Sequence, residues 1–271
     1  MSNPEPKSPS SGIWRRPRLI ESPLLRWALI SGGTLYLFFA LITLGIDVPR
    51  FLAGIPRASE FIGGFFWPDF ITRSDEIIKG FIESLTMTLV ATALGVVLSI
   101  PLSIGAARNF APTPVYLVCR AIIALSRTFP EVMIAIFFVV MFGFGPFAGL
   151  VTLVVATVGF LGKLLAEDIE ACSRDQIEAI RATGASTPQI LIFALLPQVF
   201  PRLVGLSLYR LDINFRESAI IGVVGAGGIG ATLSTTLNRY EFSSAAAILI
   251  LIILIVLLTE NISGLIRKRL L

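Results

Sequence analysis

AAAILILIILIVLLTENISGLI occupies residues 245–266. From Ala245 to Leu258 no side chain carries a hydrogen-bonding group. A helix apolar on every face is buried in a large core or in lipid. About 20 mostly apolar residues cross a hydrocarbon layer about 30 Å thick, so this stretch reads as a membrane span. The composition says the same of the whole chain. Its 271 residues are 55% hydrophobic and only 15% charged, where a soluble domain carries about 25% charged residues. The mean hydropathy is +0.84.

Working outward, five further stretches meet the length requirement: Trp27–Ile46, Ile77–Ile100 ending near Pro101, Val115–Phe142 interrupted by Pro130, Phe147–Glu167, and Leu203–Val224, which is unusually polar. The runs are too long and too uniformly apolar for the alternating strands of a membrane barrel. Helices satisfy their own backbone groups in lipid. The expected fold is all-α, a polytopic transmembrane helix bundle of about six spans. A cytoplasmic tail at 1–26 precedes one membrane domain at 27–271. The first apolar segment is longer than a signal-peptide core, and no A-x-A site follows it, so it reads as a retained span.

The net charge of +4 and pI of about 9.4 fit Lys and Arg at cytoplasmic membrane edges and do not call for nucleic acid. Arg15, Arg16, Arg18 and Arg26 precede the first span. Arg108 follows the second, Arg174 and Arg181 the fourth, and Arg267, Lys268 and Arg269 the sixth. The other loops mix Arg50, Arg57, Arg73 and Arg239 with Asp47, Glu60, Asp69, Asp75 and Glu241. The bias puts both termini inside. There is no histidine, and Cys119 and Cys172 form no CxxC pair. A disulfide framework, a His-based metal site and His-dependent catalysis are therefore poorly supported. Residues 48–76 read either as an interfacial helix or as a packed loop.

The informative connection is cytoplasmic. From Arg174 it runs RDQIEAIRATGASTPQILIFALLPQVFPR. Ala179, Ala182 and Ala185 suit a close-packing helix, Gly184 interrupts it, and Ser186-Thr187-Pro188 starts a second helix that reaches Leu196 and Pro197. Glu178-Ala179, Gly184 and Leu196-Pro197 stand at the spacing of the EAA motif, so the segment resembles the coupling loop of bacterial ABC importer permeases. Ile180 and Ala194 depart from the motif but stay apolar. RATGAS (181–186), LPQVFPR (196–202), SLYRLDINFRES (207–218), GVVGAGGIG (222–230) and FGPFAG (144–149) are similar to the phosphonate-uptake permeases, over roughly residues 77–271.

The resemblance implies the type I ABC importer permease fold in a bacterial cytoplasmic (inner) membrane. It implies a second copy of the chain, two ABC ATPase subunits that hold ATP and magnesium, and an extracytoplasmic substrate-binding protein. The cargo would be a phosphonate-type anion, or alternatively phosphite, a phosphate-like anion or an amino acid. This chain would bind no cofactor or metal and have no catalytic residues. In an EAA coupling loop at about 174–200, Glu178, Ala179, Arg181, Gly184 and Pro197 would couple to the ATPase. No G-x-x-x-x-G-K-[ST] occurs, which agrees with an ATPase on another chain. An intramembrane enzyme would need a base or metal that a histidine-free chain does not offer, and an ion channel would not need an EAA loop.

Ionisable residues within spans usually face the bundle interior. Arg127 and Glu131 are four apart, so on one helix they share a face and can pair. Tyr209, Asp212 and Arg216 form one stripe of the fifth span, with Arg210, Asn214 and Glu217 on a neighbouring stripe. Arg127, Glu131, Tyr209, Asp212, Asn214 and Arg216 are candidates for lining or gating an anion path. Gly225, Gly227, Gly228 and Gly230 match a dinucleotide fingerprint literally, but no βαβ context surrounds them. They are expected to form a flexible or tightly packed break on the outer side, serving as a gate hinge or as part of the docking surface for the binding protein.

Overall fold

A computed structural model describes the backbone of residues 22–45 and 47–270, with side chains except those of Val48 and residues 266–270. The tail at 1–12 with Arg15, Arg16 and Arg18, and the Arg267, Lys268 and Arg269 side chains, lie outside the described residues. Every regular element described is helical: α1 Pro23–Thr43, α2 Val48–Gly64, α3 Ser74–Gly105, α4 Thr113–Thr128, α5 Glu131–Phe142, α6 Pro146–Glu170, α7 Arg174–Ala182, α8 Thr187–Ile190, a π-helical segment Leu191–Leu195, α9 Leu196–Val223, α10 Ile229–Asn238 and α11 Phe242–Leu270. Five helices are long and apolar enough to span a membrane, or six if the bent pair α4–α5 counts as one. The chain divides into two compact units, at 1–57 and 58–271. In the first, α1 stands with exposed side chains along almost its whole length.

The second unit is built on α3 and α6. The buried face of α3 carries Gly80, Ser84, Thr88, Ala91, Thr92, Gly95, Ser99 and Ser103. That of α6 carries Gly149, Thr152, Ala156, Thr157, Gly159, Gly162 and Ala166. Small residues let helix backbones approach closely where lipid supplies no hydrophobic drive. A Cβ on Gly95 would fall 2.3 Å from Thr157 Cγ2. At one end of the unit Met87, Ala91, Val139, Leu153 and Ile221 form a core. At the other, Leu161, Leu165, Ile169, Leu195, Val199 and Leu203 do so.

Three elements differ from the sequence expectation. The second span runs past Pro101 to Gly105, because a proline removes only one ladder hydrogen bond and α3 is held on both sides of it. The third span is two helices bent by 94°. Phe129 (φ −98°, ψ 138°) and Pro130 (φ −57°, ψ 144°) are extended, as the restriction on a residue before proline favours. The second helix of the cytoplasmic connection does not stop at Pro197. The helix is continuous over Thr187–Val223. The π register carries it across the proline: Leu196 N–H donates to Leu191 O, five residues back.

Candidate functional site: the exposed short helix and the polar fifth span

The chain turns out of α6 at Ala171 and begins α7 at Arg174. Ile177 is the buried residue of this short helix, and it packs with Ile190 and Ala194 beside Phe110, Cys172, Ile180 and Ala185. Asp175, Glu178, Ala179 and Arg181 of the same helix are exposed. Asn109, Phe110, Arg174, Ile177, Glu178 and Arg181 line a cleft of about 250 Å³ along it. Gly184 turns the chain at φ +81° with open space around it, a conformation that glycine adopts without strain. The next helix starts where Ser186 stands: its N–H and its hydroxyl both donate to Gln189 Oε1, at 2.8 and 2.9 Å. Burial, reinforced by the Asp168 charge, pushes the thiol of Cys172, free and beside α7, up.

Pro197 is exposed and sits just beyond the π segment, close to Gln198. Gln198 Oε1 accepts from Ser173 N–H at 3.0 Å, and its Nε2 donates to Ala194 O at 2.7 Å. Nearby, Glu170 accepts from Arg108 N–H (2.8 Å) and from Arg120 Nη2 (2.9 Å), while Arg120 Nε donates to Ala106 O (2.9 Å). The α3–α4 turn is thereby fastened to the end of α6.

Higher in the bundle, α9 carries two polar faces. Arg210 is buried; its guanidinium donates to both Glu217 oxygens (3.3 and 2.8 Å) and to Thr157 Oγ1 (3.3 Å), over the Phe160 ring. Asn214 is 0% exposed and donates to Thr92 Oγ1 (2.8 Å) and Thr157 Oγ1 (2.9 Å), tying α9 to α3 and α6. On the outward face, Arg216 pairs with Asp212, which also accepts from Thr259 of α11 at 3.1 Å. Arg202, Tyr209, Arg216 and Val223 recur every seventh residue and are all exposed. Arg202 pairs with Asp168 at 3.4 Å.

Arg127 and Glu131 do not share a helix face. The break between α4 and α5 separates them, and no ion pair joins them among the described residues. Arg127 is exposed at the end of α4, while Glu131 begins α5 beside Glu217. Arg210 and Glu217 were absent from the candidate set, though their spacing of seven already places them on one face.

At the other end of α6, the glycines form a closely packed crossing. Gly225, Gly227 and Gly228 have φ of +95°, +75° and +73°. A Cβ on Gly227 would lie 2.5 Å from Pro146 N, and one on Gly230 would lie 1.9 Å from Ala219 O. Gly145 N–H donates to Gly225 O (3.0 Å), Gly228 N–H to Glu83 Oε2 (3.2 Å) and Ile229 N–H to Ser84 Oγ (2.9 Å). Of the two forms of break the sequence allowed, the geometry has the packed one.

The chain is similar to known proteins. The chain is 37% identical over 224 residues to the phosphite transport system permease protein PtxC of Stutzerimonas stutzeri, covering 82% of this chain and 81% of that one. It is 42% identical over 204 residues to the phosphate-import permease protein PhnE of Mycolicibacterium smegmatis, covering 75% of this chain and 38% of that one. Among solved structures it resembles a chain of the inward-facing MetNI methionine ABC transporter, with a TM-score of 0.61, 26% identity and coverage of 72% of this chain and 96% of that one. The fold is that of type I ABC importer permeases. The family described as "Binding-protein-dependent transport system inner membrane component" matches residues 99–271, and the chain belongs to that family.

Proposed function

We propose that the chain is the membrane-spanning subunit of an ATP-driven importer for phosphonate or a related phosphorus oxyanion, and that α7 docks on a separate ATPase. The carrying observation is α7 itself: a nine-residue helix between two spans, held by Ile177 and presenting Glu178, Ala179 and Arg181 outward. A short helix anchored on one face to its own spans can pass movement of a partner to the bundle as a rigid body. The cargo class rests on the relatives named for phosphite, phosphate and phosphonate transport.

In this reading the α7 end and both termini are cytoplasmic, and ATP and magnesium sit on the partner. A binding protein delivers the anion at the glycine crossing, and a second copy of the chain completes the path. The outward stripe of α9 lines that path. Arg216 and Tyr209 are 51% and 45% exposed in a helix that must cross lipid, where a charge is costly unless it faces a protein interior or water.

The test is reconstitution of the chain with its ATPase and binding protein, with phosphite, methylphosphonate, phosphate and methionine offered in turn. Phosphite or methylphosphonate should stimulate ATP hydrolysis, and Glu178→Arg should release the ATPase. A chain that never associates with an ATPase would sink the reading, and stimulation by methionine alone would replace the cargo.

A further inference from the structure

The segment from Ser173 to Gln198 is a loop containing α7, the Gly184 turn, α8 and the π segment. Its two ends are fastened by one side chain. Ser173 is the residue ahead of α7, where the first helical N–H groups have no partner within the helix, and its N–H donates to Gln198 Oε1. The other end of the same amide donates to Ala194 O, inside the π segment that Pro197 follows. Pro197 has no N–H to give, so the helix is short of backbone bonds at this point. The Gln198 amide adds a side-chain bond within this weakened stretch. The bond to Ala194 O is part-buried, and the bond from Ser173 N–H lies at the exposed surface.

The remaining ties of α7 are of another kind. Ile177, Ile190 and Ala194 form a small apolar contact, which fixes the face of α7 but not the direction of its N-terminal end. The Asp168–Arg202 pair joins α6 to α9 and does not touch α7. The amide is therefore the polar link among the described residues that fastens the start of α7 directly to α9.

We propose that Gln198 is a positioning residue for transport: it makes α7 and the head of α9 one lever, so that displacement of α7 reaches the far end of α9. The proposal rests on the reading of α7 as the ATPase contact. Gln198→Met keeps the length of the side chain and removes both hydrogen bonds. Gln198→Glu keeps the acceptor for Ser173 N–H and loses the donor to Ala194 O.

The experiment uses the chain assembled with its ATPase in nanodiscs. The readout is the ATP-dependent change in maleimide labelling at Val223→Cys, the exposed far end of α9, with the labelling of a chain lacking that substitution subtracted. This signal needs no knowledge of the cargo. In the parent the labelling rate should change on ATP addition. Gln198→Met should keep association and basal hydrolysis while its response falls about threefold to tenfold, the scale of one or two neutral hydrogen bonds. Gln198→Glu should fall between. A Gln198→Met response equal to the parent overturns the proposal, as does an assembled parent with no ATP response. If Gln198→Met does not assemble, an undiminished response in Gln198→Glu overturns it instead. A parent that does not bind the ATPase overturns the reading of α7 on which the proposal rests.

Discussion

Arg210 shows how the polar fifth span is made tolerable. Its guanidinium is satisfied by Glu217, Thr157 and the Phe160 ring, and Asn214 makes a second knot with Thr92 and Thr157. Removing one member of a buried pair leaves an uncompensated charge, at a cost of about 3–5 kcal/mol, whereas replacing both with apolar groups is often near neutral. Arg210→Met is therefore expected to lower stability by about that amount, and Arg210→Met with Glu217→Met to recover most of it, as measured by unfolding in detergent micelles. The sequence held part of this. Seven-residue spacing places Arg210 and Glu217 on one face, and the stripe with Asn214 was legible. Thr92 and Thr157 were not, because a threonine in an apolar run gives no sign of its partner on another helix. The expected Arg127–Glu131 pair failed for a local reason: spacing of four means proximity only on a continuous helix, and Phe129 and Pro130 are extended.

Among the elements, the glycine crossing and the π segment carry the most consequence. Gly230 lies in α10 with ordinary helical geometry, yet its Cβ position is filled by the Ala219 carbonyl. Gly184 is the opposite case, with a left-handed backbone and open space. Gly184→Ala should cost only the strain of that conformation, about 1–2 kcal/mol. Gly230→Ala must displace backbone and should cost about 1–3 kcal/mol or more. Melting temperatures of the two purified variants separate the cases, and a Gly230→Ala variant as stable as the parent would contradict the close crossing. GAGGIG announced a break in the sequence, but glycine codes equally for looseness and for contact, so the choice needed the neighbours at Pro146, Ser84 and Ala219. The continuous helix from Thr187 through Pro197 and Pro201 was hidden because two prolines argue for a stop, and a change of hydrogen-bond register leaves no mark on composition.

For the molecule as a whole, length and apolarity were enough to find the spans. Lipid imposes one rule on every helix that crosses it, so the all-α class and five of the spans followed directly from sequence, while the sixth is the bent pair α4–α5. What faces the proposed path depends on which side of each helix its neighbours leave open. If the open side of α9 lines that path, Arg216→Ala should abolish uptake of the anion while the chain still assembles with its ATPase, measured as transport into vesicles beside co-purification. Retained uptake would remove Arg216 from the mechanism. Arg202 and Arg216 lie fourteen positions apart on one line of α9, about 21 Å at 1.5 Å per residue, too far for one small anion to touch both. Each already holds a carboxylate, from Asp168 and Asp212. An oxyanion travelling along α9 would therefore meet two separate stations, and at each it would have to exchange with a resident rival. That competition weakens its hold at every station and hastens its departure, which suits a conduit better than a store.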